Sequence, residues 1–179
     1  MIQKTLDIVT QAIKRNMSLE EMQKQDILRD WKSWNGVLFK ELNADRWLRM
    51  IYANIIKKYK SSMVEFFDEK MRQSDASSAR LAVLDLIKTK NEKYYVSEYE
   101  LNLLGYRYLA EKNRAPALAA FNLAVELYPD SWNVYDSLGE ACLAGGDTAQ
   151  AIKNYRKALQ LNNTAESAKN ALQALGQNL

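Results

Sequence analysis

The sequence predicts an all-α protein whose second half repeats a pair of helices. The stretch Leu103–Phe121 returns as a near copy, Ser137–Tyr155, at an offset of 34 residues. Only 6 Gly and 2 Pro occur in 179 residues, which favours long helices over a turn-rich β fold. Apolar residues also recur at three- and four-residue steps along most of the chain, as they do on one face of a helix.

The composition excludes several kinds of chemistry. The chain has no histidine and one cysteine, Cys142. A histidine-based catalytic triad is therefore excluded, and a zinc site would lack its usual ligands. Cys142 falls on an apolar helical face and is predicted to be a small core residue. We expect no metal, no cofactor and no enzymatic activity.

The charge is uneven along the chain. The net charge is +3, and residues 1–90 hold 17 of the 25 Lys and Arg but 12 of the 22 Asp and Glu. The basic run Lys57–Lys60 is too sparse for a nucleic-acid footprint and is interpreted as a solvated helix face. The chain lacks the run of about 18 apolar residues that a membrane span needs. It also lacks a signal-peptide pattern, so a cytoplasmic location is expected by default.

Residues 1–90 are predicted to form an α-helical N-terminal region. An apolar stripe over residues 2–15 marks the first helix, and Ser18 with Glu21 has the pattern of a capping box that starts a second. The irregular stretch RDWKSWNGVLF follows, in which Trp31 and Trp34 are predicted packing anchors and Gly36 interrupts the pattern.

The rest of this region has helical periodicity with one polar interruption. One long helix or two stacked helices are predicted over residues 44–73. Polar residues 72–78 then form a loop, and the row Leu81, Leu84 and Ile87 marks a further helix. The stretch NEKYYVSE joins this region to the second half.

Residues 91–179 are predicted to form a second domain built from two similar units. The units span about residues 98–131 and 132–165, and each contains two helices joined by a turn. In the second unit the turn reads AGGD, where glycine ends one helix and Asp147 caps the next. In the first unit Asn113 is expected to take the left-handed conformation. Residues 165–175 form a closing helix.

The two units resemble the tetratricopeptide repeat, a 34-residue helix–turn–helix. The resemblance rests on residues in matching order, which are Leu104, Gly105, Tyr108, Ala117, Phe121, Ala124 and Pro129, then Tyr135, Leu138, Gly139, Ala151, Tyr155 and Ala158. Leu101 replaces the usual Trp, while Cys142 and Asn163 depart from the common aromatic and Pro. The resemblance implies a two-repeat α-solenoid with a capping helix, in which each hairpin covers the apolar side of its neighbour.

The resemblance also implies a groove that receives peptides or other proteins. The first helix of each pair would line it, and the residues that would face it are Tyr99, Asn102, Tyr106, Asn133, Asp136 and Glu140. The basic clamp that some members use for a C-terminal carboxylate is missing here, because the matching places carry Asn102, Tyr106, Asp136 and Glu140 and no Lys or Arg. Asp136 and Glu140 would also repel a carboxylate. The alternative, that these six residues are solvated and bind no ligand, stays open.

A second resemblance covers about residues 4–56. The stretches TLDIVTQAIKRNMSLEEMQKQ and WNGVLFKELNADRWLRMIYANI are similar to the helical tail that closes metallo-β-lactamase-fold hydrolases. The zinc-binding histidines of that family are absent, so the tail would have no activity of its own. The alternative is a generic amphipathic helical bundle.

Three functions follow as hypotheses. The first is a non-catalytic scaffold that docks a protein, a peptide or a second copy of itself. The second is an accessory or dimerisation domain of a metallo-β-lactamase-fold hydrolase. The third is carboxylate-only catalysis by Asp26 with Asp30, or by Glu65, Asp68 and Glu69, although exposed acidic pairs of this kind are usually only solvated.

Overall fold

The architecture is that of a computed structural model, which describes residues 2–30, 44–89 and 91–178. Within these residues the chain has ten α-helices and two strands of two residues each. The elements are α1 Ile2–Lys14, α2 Leu19–Lys24, α3 Ala44–Ile56, β1 Ser61–Ser62, α4 Met63–Gln73, α5 Ala76–Lys88, β2 Tyr94–Tyr95, α6 Glu98–Ala110, α7 Arg114–Leu127, α8 Trp132–Ala144, α9 Thr148–Leu161 and α10 Glu166–Ala174. The all-α prediction is confirmed. The predicted roles of Trp31, Trp34 and Gly36 lie outside the described residues.

The chain divides into two compact units. One is Met1–Ser62 with Asn91–Tyr95, and the other is Met63–Lys90 with Val96–Leu179. This division differs from the predicted one at residue 90. The reason is that α4 packs against α6 and α5 packs against α7, so both helices group with the repeats.

The first unit is built around an apolar cluster formed by α1, α2 and α3. Val9, Ile13, Met22 and Ile56 are buried in it. The predicted capping box is confirmed, since the Glu21 amide donates to Ser18 Oγ at 3.1 Å and the Ser18 amide donates to Glu21 Oε2 at 2.7 Å. These bonds satisfy two backbone donors at the start of α2 that have no partner inside the helix.

Two short strands complete this unit. Ser61 pairs with Tyr94 and Ser62 pairs with Tyr95 in a parallel register. The Ser61 amide also donates to the Lys93 carbonyl at 2.8 Å. The segment that was predicted as a simple join to the repeats therefore returns to the N-terminal unit before α6 begins.

The second unit contains a helical hairpin ahead of the two predicted ones. The helical pattern over residues 44–73 is two helices, and the second of them, α4, pairs with α5. The row that predicted α5 is not its buried face. Ala79 and Val83 are buried, whereas the Leu81 side chain is 61% exposed. The buried face of α5 uses small residues because it packs close to its neighbouring helices.

The predicted repeats are confirmed as two antiparallel hairpins. Helix α6 pairs with α7, α8 pairs with α9, α7 packs against α8, and α10 packs against α9. Phe121 and Tyr155 are buried, and their rings lie directly against Gly105 and Gly139 of the same hairpins. The repeated spacing thus places a ring of the second helix where the first helix has no side chain.

The turns inside the hairpins match one prediction and correct another. In the second hairpin Gly146 has φ +80°, and Asp147 Oδ1 accepts from the Gln150 amide at 3.1 Å, as predicted. In the first hairpin the left-handed residue is Lys112, with φ 58°, and Asn113 has φ −94°. The offset of 34 residues explains this, because Lys112 corresponds to Gly146 and Asn113 to Asp147.

Side-chain bonds connect the additional hairpin to the first predicted one. The Arg80 guanidinium of α5 donates to both carboxylate oxygens of Glu126 on α7, each at 2.7 Å. On the other side, Asp68 of α4 accepts from Arg107 at 2.7 Å and from the Tyr108 hydroxyl on α6. The unit therefore stacks three hairpins and a closing helix, which supplies the burial that two repeats alone would lack.

Candidate functional site

The six residues predicted to face a groove lie on two neighbouring helices. Tyr99, Asn102 and Tyr106 are on α6, and Asn133, Asp136 and Glu140 are on α8. Within each helix they are spaced by three and four residues, so they share one face. The two sets are equivalent at the 34-residue offset. We call this surface, together with Ser167 of α10, the first-helix face.

Hydrogen bonds connect the helices across this face. The Tyr106 hydroxyl donates to Glu140 Oε2 at 2.8 Å, and Asn133 Nδ2 donates to Glu98 Oε1 at 3.0 Å. Ser167 Oγ of α10 donates to Asp136 Oδ2 at 2.7 Å. The structure thus brings four of the six predicted residues into hydrogen bonds within or beside the face, while Tyr99 and Asn102 are placed by their positions on α6.

Sequence reasoning missed Ser167 and Glu98. Ser167 lies 34 residues after Asn133, so continuing the repeat offset into α10 would have found it. Glu98 is the first residue of α6 and has no counterpart in the groove pattern that was carried over. Its contact with Asn133 is decided by how α6 and α8 pack together.

The residues of the face differ sharply in exposure. The Tyr99 side chain is 74% exposed, whereas Asn102 is only 7% exposed. Asn102 is less open than the groove prediction implies because α6 lies against α4, α7 and α8, which leaves only part of its surface free. Among the described residues, Asn102 Oδ1 and Asp136 Oδ1 are buried and have no hydrogen-bond partner.

The electrostatics of the face follow from burial and from its acidic groups. Burial raises the pKa of Asp136 and the nearby Glu140 charge adds to this, although the bond from Ser167 opposes them. Burial, with the charges of Asp136 and Glu140, also raises the pKa of Tyr155 to about 12. The face therefore holds negative charge that neighbouring residues of the chain leave incompletely balanced.

Charge is also segregated between the two helices of the second predicted hairpin. Helix α8, on the first-helix face, has Asp136 and Glu140 and no Lys or Arg. Helix α9 has Lys153, Arg156 and Lys157 and no Asp or Glu. A chain of net charge +3 thus presents an acidic surface on this side of the hairpin.

Two of the acidic groups proposed for carboxylate catalysis, Asp68 and Glu69, accept hydrogen bonds from neighbouring side chains. Burial alone would raise the pKa of Asp68, but hydrogen bonds from Tyr108 and Arg107 and the charges of Arg107 and Arg72 lower it below its ordinary value. A carboxylate with a lowered pKa that is bound on several sides is a poor proton donor near neutral pH. Glu69 accepts a hydrogen bond from Gln73 at 2.8 Å.

Metal binding and membrane insertion are two further classes of function. In residues 2–30, 44–89 and 91–178, no three His, Cys, Asp or Glu side chains come together as a metal site would need. Over the same residues, no helix has the length and apolar character to cross a membrane.

A family model for the tetratricopeptide repeat matches residues 133–164, which span α8, α9 and the turn between them. This segment is a tetratricopeptide repeat. The match agrees with the second predicted unit, residues 132–165. The repeat on α6 and α7 has the same hairpin and the same Gly105–Phe121 contact as its neighbour. A search of curated proteins finds no match to the chain. The resemblance of residues 4–56 to the hydrolase tail stays a prediction.

Proposed function

We propose that this chain is a non-catalytic interaction scaffold that docks a protein or peptide partner on the first-helix face. The observation that carries the proposal is the tetratricopeptide repeat at residues 133–164, whose first helix contributes Asn133, Asp136 and Glu140 to the face. Repeats of this architecture use such extended surfaces for binding.

The composition of the face also supports docking. Tyr99 is a large, amphipathic side chain that stands 74% exposed beside a row of polar groups. Tyrosine is enriched at protein interfaces because its ring adds apolar contact area while its hydroxyl can form a hydrogen bond.

Site-specific cross-linking tests this proposal. A photoreactive phenylalanine analogue replaces Tyr99 in one variant and Lys153 in a matched control. Lys153 is also exposed, but lies on α9, the second helix of its hairpin. Both variants are expressed in the source cells and irradiated, and the adducts are identified by mass spectrometry.

We expect a defined partner to be cross-linked from position 99 and not from position 153. The adduct should decrease when Asn133→Ala is added, because Asn133 lies on the same face. Equal labelling from both positions, or no adduct from position 99, would contradict the proposal. An adduct with a second copy of the chain, together with concentration-dependent sedimentation, identifies the partner as the chain itself.

A second candidate function is an accessory or dimerisation domain of a metallo-β-lactamase-fold hydrolase. It is favoured by the N-terminal unit, in which α1, α2 with its capping box, and α3 occupy the segments that resemble the hydrolase tail. The test is the DNA that flanks the coding region. A zinc-site reading frame in the same gene or the adjacent one supports this candidate, and its absence removes the motive for it.

A further inference from the structure

The first-helix face contains hydrogen-bond acceptors that lack donors. Asn102 Oδ1 and Asp136 Oδ1 are both buried without a partner, and Asn102 as a whole is only 7% exposed. A buried acceptor with no donor is unfavourable and uncommon in folded proteins. These two oxygens of the face therefore lack an N–H or O–H donor.

The two unpaired acceptors belong to residues at equivalent positions on α6 and α8. Tyr106 and Glu140 are equivalent residues 34 positions apart, and they are joined by a hydrogen bond of 2.8 Å between α6 and α8. Asn102 and Asp136 are the equivalent pair one helical turn earlier. The same packing of α6 on α8 therefore brings the amide of Asn102 and the carboxylate of Asp136 to adjacent positions on one face.

The helices that form this face do not supply a cation to it. Helix α8 has no Lys or Arg. The Arg107 guanidinium of α6 is bound to Asp68 on α4, and Lys169 of α10 is bound to Glu166 at 3.0 Å. The carboxylates of Asp136 and Glu140 are therefore left without an opposite charge from α6, α8 or α10.

We propose that the first-helix face binds a cationic side chain, a lysine or arginine on an exposed segment of the partner protein. Lysine has three N–H donors and arginine has five, and neither side chain has an acceptor. Such a group would donate hydrogen bonds to Asn102 Oδ1 and Asp136 Oδ1, and its positive charge would balance the charges of Asp136 and Glu140. This inference rests on the proposed function, and it specifies the chemistry of the docking partner.

Access to the site requires a local rearrangement. Both orphan oxygens are closed to solvent in the unbound chain. Tyr106 follows Asn102 by one turn of α6 and is bonded to Glu140, and we expect its rotation away from Glu140 to open the site. Binding should therefore be accompanied by loss of the Tyr106–Glu140 hydrogen bond.

The experiment titrates the full chain with acetyl-tetralysine amide and acetyl-tetraarginine amide. Tetra(acetyl-lysine) amide, which has lost the charges, and acetyl-tetraglutamate amide are the control peptides. Two-dimensional ¹H–¹⁵N NMR follows the backbone signals of α6 and α8 and the side-chain amide of Asn102. The variants are Asp136→Asn, Glu140→Gln and Asn102→Leu, and Glu69→Gln is the matched control on an exposed acid of α4.

We expect the cationic peptides to shift the Asn102 side-chain amide and the α8 signals. Asp136→Asn should weaken this binding about tenfold, the equivalent of one charge-assisted hydrogen bond. Glu140→Gln, at an exposed position, should also weaken it, which keeps the test valid if a buried variant fails to fold. Glu69→Gln should leave the affinity unchanged.

Three results would overturn the inference. The first is binding of the cationic peptides that is equally weakened by Glu69→Gln, which indicates general attraction to acidic surface. The second is tighter binding of the tetraglutamate or acetyl-lysine peptide than of tetralysine. The third is no shift at the face at all. If position 99 still cross-links a partner in that case, the docking function stands and only the cationic chemistry fails.

Discussion

The ring of Phe121 lies against Gly105, so that a Cβ atom built on residue 105 would lie 2.5 Å from Phe121 Cζ. The same relationship recurs in the next hairpin, where a Cβ on Gly139 would lie 2.8 Å from the Tyr155 ring. Phe121 has no exposed surface and cannot easily move aside. The absence of a side chain on the first helix is thus what allows the two helices of each hairpin to pack with a ring between them.

Gly105→Ala is expected to destabilise the protein. Alanine would gain about 1 kcal/mol from helix propensity, but overpacking a filled core costs about 1–3 kcal/mol, so we expect a net loss of up to about 2 kcal/mol. Urea unfolding followed by circular dichroism measures this free energy. Gly139→Ala should be less costly, because its contact is longer.

A double-mutant cycle shows whether the Phe121 ring causes this loss. Phe121→Leu replaces the ring with a smaller aliphatic side chain, so Gly105→Ala should be better tolerated in that background than in the wild type. Stabilisation by Gly105→Ala in the wild-type chain would mean that the ring moves freely, in conflict with its burial.

Asp68→Asn is expected to lower the free energy of unfolding by about 1–3 kcal/mol, because Asp68 accepts charge-assisted hydrogen bonds in a largely buried position. The pKa of Asp68 is lowered in the folded chain from its ordinary 3.8. The stabilisation that the Asp68 carboxylate gives is therefore complete at pH values above the ordinary pKa. It is lost as the pH falls through the lowered pKa of the folded chain. The difference between wild type and variant should shrink under acid conditions.

Glu69→Gln serves as the control for this pH dependence. Glu69 is the exposed neighbour of Asp68 on α4, and its substitution should change the free energy of unfolding by less than about 0.5 kcal/mol. A difference between wild type and Asp68→Asn that stays constant from neutral to acid pH would refute the role given to the Asp68 carboxylate.

Asp147→Ala is expected to cost about 0.5–2 kcal/mol of unfolding free energy, because Asp147 caps α9 through the Gln150 amide. Asn113→Ala is the matched comparison. Asn113 holds the equivalent position before α7 but makes no side-chain capping bond. Thermal or urea unfolding should therefore rank the Asp147 variant as clearly less stable, and equal losses would argue against the cap.

The thiol of Cys142 is expected to react slowly in the folded chain. Burial raises its pKa and the Asp147 charge adds to this, while Arg114 and Asn154 oppose the shift. The thiolate is the reactive form, so a raised pKa and burial both slow alkylation. Rates with iodoacetamide, measured by mass spectrometry in buffer and in urea, should differ widely. Similar rates would show that this helix opens readily.

The sequence by itself determined the helical class, the two hairpins and the turn of the second hairpin. It did so because glycine, alanine and ring residues recur at a 34-residue spacing, and because capping residues such as Ser18 and Asp147 act through their immediate neighbours. These features are local, and local chemistry can be recognised without knowing what packs where. The six residues of the first-helix face were named on the same basis, from their positions within the repeat.

Only the tertiary structure decided which helices pack against one another and which of their side chains are buried. It assigned α4 and α5 to the repeat unit, buried Asn102, and joined Asp68 to Tyr108 across helices that are far apart in the sequence. The exposed Leu81 shows why periodicity alone failed there, since burial depends on the neighbour that a helix finds and not on its own pattern. Contacts between segments that are distant in the sequence depend on how the helices pack, and the local pattern of a single segment does not reveal that packing.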